Sequence, residues 1–388
     1  MKLGILTQPV KRGENYGCIL QAYALQTKLK ELGHESEIID LREKLNRRSV
    51  LHKFLSIFVR LFKRNILGNK RINHPMKQWD YTDEIKNIIF INTLNFINKH
   101  IICSEHIVPT RELNINTEKY DGFIIGSDQV WRPVCNYHQP ILFLDFVKDE
   151  KVKRIAYAAS FGVGKNEYSE DLIKICKPLA HKFDAISIRE DSGVRLCKEL
   201  FDVDAIQVID PTMFSDADHY IKLSKERSDY FNDGDCFAYI LDKNDEKQRI
   251  INEVCHKHNF KPFNVMPKSK FADVGPKHID DCVMPPVEQW LDGFNKAKFV
   301  VTDSFHGCVF SIIFKKPFIA IGNASRGMAR FESLLRMFHL EKRLIQTEND
   351  LTEELLNSEI DYDVVHGILK KEREKAEKFL KNVLGEGR

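Results

Sequence analysis

The sequence predicts an α/β protein of the GT-B-like type, in which two Rossmann-like domains with parallel sheets face a central cleft. The chain has 388 residues, too many for one comfortable core and about right for two α/β domains. Short apolar runs also alternate with segments of helical apolar spacing. Strands separated by helices indicate parallel sheets that are covered on both faces.

The first series of elements extends to about residue 210. Residues 3–7 form a short β-type run, and 18–32 carry apolar residues at helical spacing, with Gly33 as a plausible C-cap. Further strands are predicted at 37–41, 122–125, 154–159, 185–188 and 205–209.

A second series begins near Asp210-Pro211 and repeats the alternation. Its predicted strands are 237–241, 262–266, 299–302 and 317–321, and its helices are 246–258, 287–297 and 304–314. We therefore predict an N-terminal Rossmann-like domain over 1–210, a C-terminal Rossmann-like domain over 211–350, and a helical segment over 351–388 that could pack back on the first domain.

The composition restricts the class of protein. A net charge of +3 is too small to indicate nucleic-acid binding, and no apolar run approaches the roughly 18–20 residues of a membrane span. The start of the chain lacks the long apolar region of a secretory signal. Nine dispersed cysteines without a CxxC pair favour reduced thiols and a cytoplasmic location.

The most informative loop follows the predicted strand 299–302 and reads Asp303-Ser304-Phe305-His306-Gly307. Ser304 or Asp303 can cap the apolar helix that follows, whose N-terminal N–H groups and dipole suit a phosphate or carboxylate. His306 could donate to an anion or act as a general acid. A capped helix with a structural histidine is the alternative, and the pattern leaves both open.

The loop after strand 122–125 reads Gly126-Ser127-Asp128-Gln129-Val130-Trp131. Asp128 stands at the carboxyl edge of the sheet and could take a proton from a sugar hydroxyl. Gln129 and Trp131 could hydrogen-bond to a pyranose ring and stack on it. The alternative is a Gly-Ser-Asp turn with a tryptophan in the core.

Arginines follow two other predicted strands. Arg189 could bind a carboxylate or phosphate through its planar fork, or could form a surface pair with Glu190. Arg326 and Arg330, four residues apart after the last strand, could both face the cleft or could begin a solvated helix.

Two common ligand classes find no support in the sequence. The loop 11–17 has two glycines but neither GxGxxG nor the P-loop lysine pattern, so dinucleotide or ATP use is not indicated. No carboxylate–histidine cluster suggests a metal, and we predict no cofactor.

Taken in order, these segments resemble the polysaccharide pyruvyl transferase family over roughly residues 3–345. The resemblance rests on the following segments: Asn15-Tyr16-Gly17, Leu20-Gln21-Ala22-Tyr23-Ala24-Leu25-Gln26, Gly126-Ser127-Asp128-Gln129-Val130-Trp131, Ser187-Ile188-Arg189-Glu190, Asp210-Pro211-Thr212, Thr302-Asp303-Ser304-Phe305-His306-Gly307 and Lys316-Pro317-Phe318.

The resemblance implies a GT-B-like fold, phosphoenolpyruvate as donor, and a sugar of a bacterial surface polysaccharide as acceptor. It also implies that Arg189 and the Ser304-Phe305-His306 turn hold the donor, to which we add Arg326 and Arg330. Our hypothesis makes His306 the acid and Asp128 the base toward the acceptor. The hypothesis assigns the acceptor site to Asn15, Tyr16, Gly17, Asp128, Gln129 and Trp131.

Two other functions remain open at this point. A GT-B glycosyltransferase that uses a nucleotide sugar would also place its donor near a helix N-terminus in the second domain. A non-catalytic glycan-binding protein would need little beyond Trp131 and a basic helix.

A basic amphipathic stretch covers residues 47–64. Leucines and phenylalanines fall on one helical face and Lys53, Arg60, Lys63 and Arg64 on the other. The pattern fits a helix that lies on the anionic inner face of the cytoplasmic membrane, where a polyprenyl-diphosphate-linked acceptor would be found. It fits equally a helix that packs on the protein.

Overall fold

The predicted fold class is confirmed: the chain is α/β and contains two parallel sheets. The computed structural model describes residues 1–41, 79, 81–107, 115–136, 139–227, 229–323 and 327–385. The predicted basic helix at 47–64 and Arg326 lie outside these residues. Among the helices that are described, none is long and apolar enough to cross a membrane.

Within the described residues the first sheet has six parallel strands, in the order β2-β1-β3-β4-β5-β6. Its central strands are buried on both faces, as expected of a parallel sheet covered by helices. The strands are β1 Lys2–Leu6, β2 Glu35–Ile38, β3 Gly122–Ile125, β4 Lys153–Ala159, β5 Ala185–Ile188 and β6 Ile206–Gln207.

Helices connect these strands. The longest, α1, begins at Tyr16 because the Asn15 side chain caps it by accepting from the Cys18 N–H. The helices of this part are α1 Tyr16–Glu31, α2 Asp83–Ile89, α3 Ile91–His100, α4 Glu170–Ala180, α5 Asp191–Leu196 and α6 Ala217–Ser224.

The second sheet has five described strands, all parallel, in the order β11-β10-β9-β7-β8. Every residue of its inner strands β9 and β10 is buried. The strands are β7 Cys236–Tyr239, β8 Pro262–Phe263, β9 Phe299–Thr302, β10 Phe318–Ile321 and β11 Leu344–Ile345. The helices that follow α6 are α7 Asp245–His258, α8 Phe271–Val274, α9 Val287–Lys296, α10 Phe305–Ile313, α11 Met328–Met337, α12 Glu353–Asn357 and α13 Tyr362–Leu384.

The last helix, α13, contacts both parts of the chain. Near its start, the Tyr362 hydroxyl donates to the Ser311 carbonyl at 3.3 Å. Farther along, Arg373 donates to the Met213 and Ser215 carbonyls at 2.5 and 2.7 Å. Helix α13 thus contacts both the second part of the chain, at Ser311, and the segment that follows the first sheet, at Met213 and Ser215.

Both sheets reverse their strand order once, between β1 and β3 in the first and between β7 and β9 in the second. In open parallel sheets, ligands bind beyond the carboxyl ends of the strands at such switch points. The carboxyl end of β3 continues into Asp128, and that of β9 continues into His306. Contacts described below bring these two ends together, which is the GT-B-like arrangement.

Candidate functional site

The site begins with an ion-pair cluster at the carboxyl edge of the first sheet. Arg189, just after β5, donates from Nη1 to Asp210 Oδ2 at 2.7 Å and from Nη2 to Asp128 Oδ1 at 3.2 Å. All three residues are at least 93% buried. Arg189 therefore joins the loop after β3 to the segment that leaves the first sheet, and it is not paired with Glu190 on the surface.

Hydrogen bonds fix both carboxylates. Asp210 Oδ1 accepts from the Thr212 N–H at 3.0 Å and from its hydroxyl at 2.7 Å, while Oδ2 also accepts from Ser127 Oγ at 3.3 Å. Asp128 Oδ1 accepts from the Gln129 N–H at 2.8 Å. Such buried, multiply bonded charges hold one geometry.

Two side chains of the second part complete the cluster. His306, in the first turn of α10, places Nε2 3.6 Å from Asp210 Oδ2. Arg330, in α11, places Nη1 3.5 Å from Asp128 Oδ1. The two switch points thus share one group of charges, and the structure brings the predicted residues Asp128, Arg189, His306 and Arg330 together.

Both arginines lie near the ring of Phe305. The Cζ atom of Arg189 is 4.3 Å from the centre of its ring, and that of Arg330 is 5.5 Å away. Guanidinium groups at this distance from an aromatic face are attracted by its electron density. Phe305 therefore contributes to the site by positioning both cations.

The carboxylates stay ionised in this surrounding. Burial alone would raise the pKa of Asp128, but Arg189 and Arg330 lower it below its ordinary value. For Asp210, burial is likewise outweighed by His306 and Arg189, and its pKa falls far below the usual range. Burial and the neighbouring Arg189 lower the pKa of Arg330 to about 10, so it remains a cation at neutral pH.

The turn before α10 is held differently from the prediction. Ser304 occupies the N-cap position, yet its side chain caps no described N–H group. Asp303 does not cap either, because it accepts from the Leu241 and Asp242 N–H groups and from Lys247 Nζ at 2.6 Å. Both candidate caps are thus corrected, and the first turn of α10 is left without a side-chain acceptor among the described residues.

Gly17 has a role that the sequence analysis did not foresee. A Cβ atom at this position would lie 2.0 Å from Nδ1 of His306, which no side chain could tolerate. The N-terminal turn of α1 therefore packs directly against the imidazole ring. Gly17 permits this close approach and so seats His306, while its predicted contact with an acceptor stays a prediction.

Two predicted acceptor residues belong to the core instead. Trp131 is fully buried, its ring stacks on Phe143 at 4.7 Å, and its N–H donates to the Leu142 carbonyl at 2.9 Å. Tyr16 is also fully buried; its hydroxyl donates to the Pro285 carbonyl at 2.8 Å. Neither ring is available to a sugar, so the predicted stacking of Trp131 on a pyranose is wrong and the Tyr16 side chain is not part of an acceptor site.

A cavity of about 210 Å³ opens beside Asp128 at the switch point of the first sheet. Asn15 and Gln129 line it, as the acceptor hypothesis requires. The polar residues around it are Gln8, Arg12, Glu14, Asn15, Asp128 and Gln129.

Asp210 and Gln21 are site residues to which the sequence analysis gave no role. Gln21 Oε1 accepts from the Ser127 N–H at 3.1 Å and its Nε2 donates to Thr7 Oγ1 at 3.0 Å, which fixes the turn before Asp128. Both residues fall within the motifs that carry the family resemblance. Their place in these motifs is the sequence feature from which a role could have been predicted. Their hydrogen-bond partners are distant in sequence, so the local pattern does not indicate them.

The fold and the site define a two-sheet α/β protein with a buried cluster of arginines, carboxylates and a histidine where the sheets meet. A family model for polysaccharide pyruvyl transferases matches residues 15–325. The chain belongs to the polysaccharide pyruvyl transferase family, a family of transferases of polysaccharide biosynthesis.

Solved structures resemble the whole chain only at low identity. UDP-GlcNAc 2-epimerase from Neisseria meningitidis is 11% identical, with 98% of this chain and 94% of that chain covered and a TM-score of 0.44. The S. aureus MnaA–UDP co-structure is 11% identical, with coverages of 100% and 98% and a TM-score of 0.46. The Methanocaldococcus jannaschii UDP-GlcNAc 2-epimerase is 13% identical, with coverages of 98% and 99% and a TM-score of 0.46. These likenesses are too weak to carry a functional argument.

No curated protein matches the sequence.

Proposed function

We propose that this protein transfers the pyruvyl group of phosphoenolpyruvate to two hydroxyls of a sugar, forming a ketal and releasing phosphate. The sugar belongs to a bacterial surface polysaccharide or to its precursor. The observation that carries the proposal is the shared cluster of Arg189, His306 and Arg330, within a chain of the pyruvyl transferase family.

The cluster suits the donor. Phosphoenolpyruvate carries close to three negative charges, and guanidinium groups bind carboxylates and phosphates with two parallel hydrogen bonds. The uncapped first turn of α10 adds backbone N–H groups and the positive end of the helix dipole. Ser304, whose hydroxyl is not used as a cap, lies at the same turn.

The two carboxylates of the cluster occupy the cations that an anionic donor would bind. Asp128 and Asp210 now neutralise Arg189 and Arg330, so a donor must replace at least one of these pairings. A donor carboxylate on Arg330 would draw this cation away from Asp128. The proton affinity of Asp128 would then rise, because Arg330 is one of the groups that lower its pKa. Donor binding would thereby strengthen Asp128 as a base.

The reaction needs one acid and two departing hydroxyl protons. Protonation of the donor's methylene carbon leaves a cation that the first hydroxyl attacks; phosphate then leaves and the second hydroxyl closes the ketal. Of the two hydroxyl protons, one restores the acid that protonated the carbon, and the other leaves with phosphate or passes to solvent. We assign the proton on carbon to His306 and the removal of a hydroxyl proton to Asp128.

The test is to incubate the protein with phosphoenolpyruvate and a panel of neutral methyl glycosides or lipid-linked sugars. Mass spectrometry should detect a product heavier by one pyruvate less one water, together with released phosphate. A thermal shift with nucleotide sugars but none with phosphoenolpyruvate would favour a glycosyltransferase instead.

The matched variant is His306→Ala. We expect it to lose transfer by at least two orders of magnitude, the usual contribution of a positioned acid, while circular dichroism shows a folded protein. Because His306 is buried, His306→Gln, which keeps more of the volume, serves as the second variant. Near-normal turnover in both variants would show that His306 is not the acid of the reaction.

We also propose that the acceptor is carried by a polyprenyl diphosphate at the inner face of the cytoplasmic membrane, and that the basic stretch 47–64 binds that surface. The support is the amphipathic pattern of the sequence. Sedimentation with vesicles that contain an anionic lipid should carry the protein down at low salt, and replacement of Arg60, Lys63 and Arg64 by Gln should release it. If the protein does not sediment with these vesicles, the stretch 47–64 is a helix that packs on the protein and does not bind the membrane.

A further inference from the structure

We infer that Glu190 is a positioning residue, which holds Arg330 in the charge cluster through the turn that follows β4. The inference rests on the proposed function only in that Arg330 is taken to bind the donor. Glu190 is fully buried and occupies the N-cap position of α5, yet its side chain caps no N–H group of that helix. Its carboxylate is therefore engaged elsewhere.

The carboxylate of Glu190 fixes the turn after β4. Its Oε1 atom accepts from the Ser160 hydroxyl at 3.0 Å, from the Phe161 N–H at 2.7 Å and from the Gly162 N–H at 3.0 Å. Ser160 Oγ in turn accepts from the Gly162 N–H at 3.0 Å. The other carboxylate oxygen, Oε2, is buried and accepts no hydrogen bond from a described residue. All hydrogen bonds described for this side chain thus go to three successive residues of one turn.

This turn is in contact with the start of α11, in the second part of the chain. A Cβ atom on Gly327 would lie 2.2 Å from the Gly162 carbonyl oxygen, so the two backbones pack directly on each other. Gly327 also has a φ of +94°, a backbone conformation that glycine adopts readily. A Cβ atom on Gly164 would lie 3.9 Å from that of Ala329. The turn is therefore the seat of the N-terminal end of α11.

Arg330 lies in the first turn of α11, three residues after Gly327. Its Nη1 atom is 3.5 Å from Asp128 Oδ1, and its Cζ atom is 5.5 Å from the centre of the Phe305 ring. Because the backbone hydrogen bonds of a helix keep each turn rigid, a shift of the start of α11 displaces the guanidinium from both partners.

A second contact holds α11 farther along. Ser333 Oγ accepts from the Asp191 N–H at 2.9 Å and from Gln207 Nε2 at 2.8 Å. With this contact as a pivot, the seat at Gly327 determines the angle at which the first turn of α11 lies. Loss of the Glu190 bonds should therefore tilt the start of the helix, and Arg330 with it, without separating the two parts of the chain.

A charge effect is the alternative to positioning. Glu190 is one of the groups that raise the pKa of Arg330, so its charge also acts on this cation. Two variants separate the effects. Glu190→Gln removes the carboxylate but keeps an oxygen at the same reach, whereas Glu190→Asp keeps a carboxylate but withdraws it by about 1.5 Å, the length of one carbon–carbon bond. Positioning predicts the larger effect for Glu190→Asp, and a charge effect predicts it for Glu190→Gln.

The contact between the turn and α11 can be measured with an engineered disulfide, independently of any activity. The Cβ separation of 3.9 Å between positions 164 and 329 is within the range of about 3.5–4.5 Å that a disulfide requires. The double variant Gly164→Cys/Ala329→Cys is equilibrated in glutathione buffers of increasing oxidising strength. Peptide mass spectrometry measures the fraction that carries the 164–329 link, which reports how often the turn and the start of the helix are in place.

We expect Glu190→Asp, added to the cysteine pair, to lower the equilibrium constant for the link severalfold, and Glu190→Gln to lower it less. The matched control is Glu199→Asp, which shortens an exposed carboxylate paired with Arg195 and should leave the constant unchanged. An equal constant with and without Glu190→Asp, or a larger loss in Glu190→Gln, overturns the inference.

Ser160→Ala keeps the inference testable if Glu190→Asp does not fold. It removes only the hydroxyl that bonds to Glu190 and to the Gly162 N–H, and it should weaken the link in the same direction. An unchanged link in this folded variant also overturns the inference.

Steady-state kinetics tests the consequence for the donor. A displaced Arg330 should raise the KM for phosphoenolpyruvate severalfold in Glu190→Asp and leave the KM for the sugar unchanged, whereas a mere loss of folded protein would lower kcat and change neither KM. A weakened link with an unchanged KM for phosphoenolpyruvate would overturn the role of Glu190 in donor binding. A weakened link in a protein that shows no pyruvyl transfer would support the positioning of Arg330 and count against the proposed function.

Discussion

At the scale of single residues, His306 can occupy its place only because residue 17 has no side chain. A Cβ atom there would lie 2.0 Å from the imidazole. The same ring contacts Asp210 on its other side. The position of His306 is therefore set by two residues that belong to the other half of the molecule.

We expect Gly17→Ala to lower transfer by at least tenfold while α1 stays intact, since alanine is the better helix former by roughly 1 kcal/mol. The clash must displace His306. The measurement is transfer rate together with thermal unfolding.

A matched control is Gly367→Ala in α13, where an added Cβ would meet no described atom within 4 Å. This variant should keep full activity and gain slightly in stability. If Gly17→Ala were as active as Gly367→Ala, close seating of His306 would not matter for the reaction.

The sequence allowed four of the cluster residues to be predicted because each follows a strand, and the carboxyl ends of parallel strands meet at one edge. It misassigned Trp131 and Tyr16, whose rings pack against partners such as Phe143 and Trp290. Burial of an aromatic side chain depends on elements distant in sequence, so the local pattern could not show that neither ring faces an acceptor.

At the scale of elements, the turn that carries His306 is tied to α7 by a buried ion pair. Asp303 is fully buried and Lys247 nearly so, and Lys247 Nζ lies 2.6 Å from Asp303 Oδ2. The pair joins β9 and α10 to the start of α7. Removing one member leaves a buried charge without its partner, which is costly.

Lys247→Met should therefore lower the free energy of unfolding by about 3 kcal/mol, measured by urea denaturation. The control is Lys243→Met, an exposed neighbour, which should change stability little. The double variant Lys247→Met/Asp303→Asn should recover part of the loss. An unchanged stability in Lys247→Met would show that the two backbone N–H bonds to Asp303 suffice.

Element boundaries were predicted well where the pattern was strong and poorly where tertiary contacts decide. Strands 185–188 and 299–302 match β5 and β9, since both are short, apolar and bounded by polar residues. The helical segment was predicted as one stretch over 351–388, whereas the structure divides it into α12 Glu353–Asn357 and α13 Tyr362–Leu384. The first turns of α13 contain valines and Gly367, which disfavour a helix, but Val365 and Leu369 are buried and offset this cost.

At the scale of the whole molecule, partly buried histidines make stability depend on pH. Burial lowers the pKa of His219 and of His100 below the ordinary 6.5. The unfolded chain then binds protons more readily than the folded one as pH falls below about 6.5. Stability conferred by the neutral histidines is present above that pH and is lost on acidification.

We expect a lower melting temperature at pH 5.5 than at pH 7.5. Differential scanning calorimetry in buffers of matched ionic strength measures both temperatures. His219→Gln, which can retain a bond to the Tyr23 hydroxyl now 3.0 Å from Nε2, should weaken this dependence. A pH profile identical to that of the unsubstituted protein would assign the effect to other groups.

The meeting of the two sheets also has an evolutionary consequence. Arg189, Asp128 and Asp210 come from one half of the chain, and His306 and Arg330 from the other, so neither half carries a balanced set of charges by itself. A hybrid that joined the first half of this protein to the second half of a divergent family member would bury unmatched ions at the seam. Recombination between relatives should therefore be tolerated at the periphery of either half far more readily than between them.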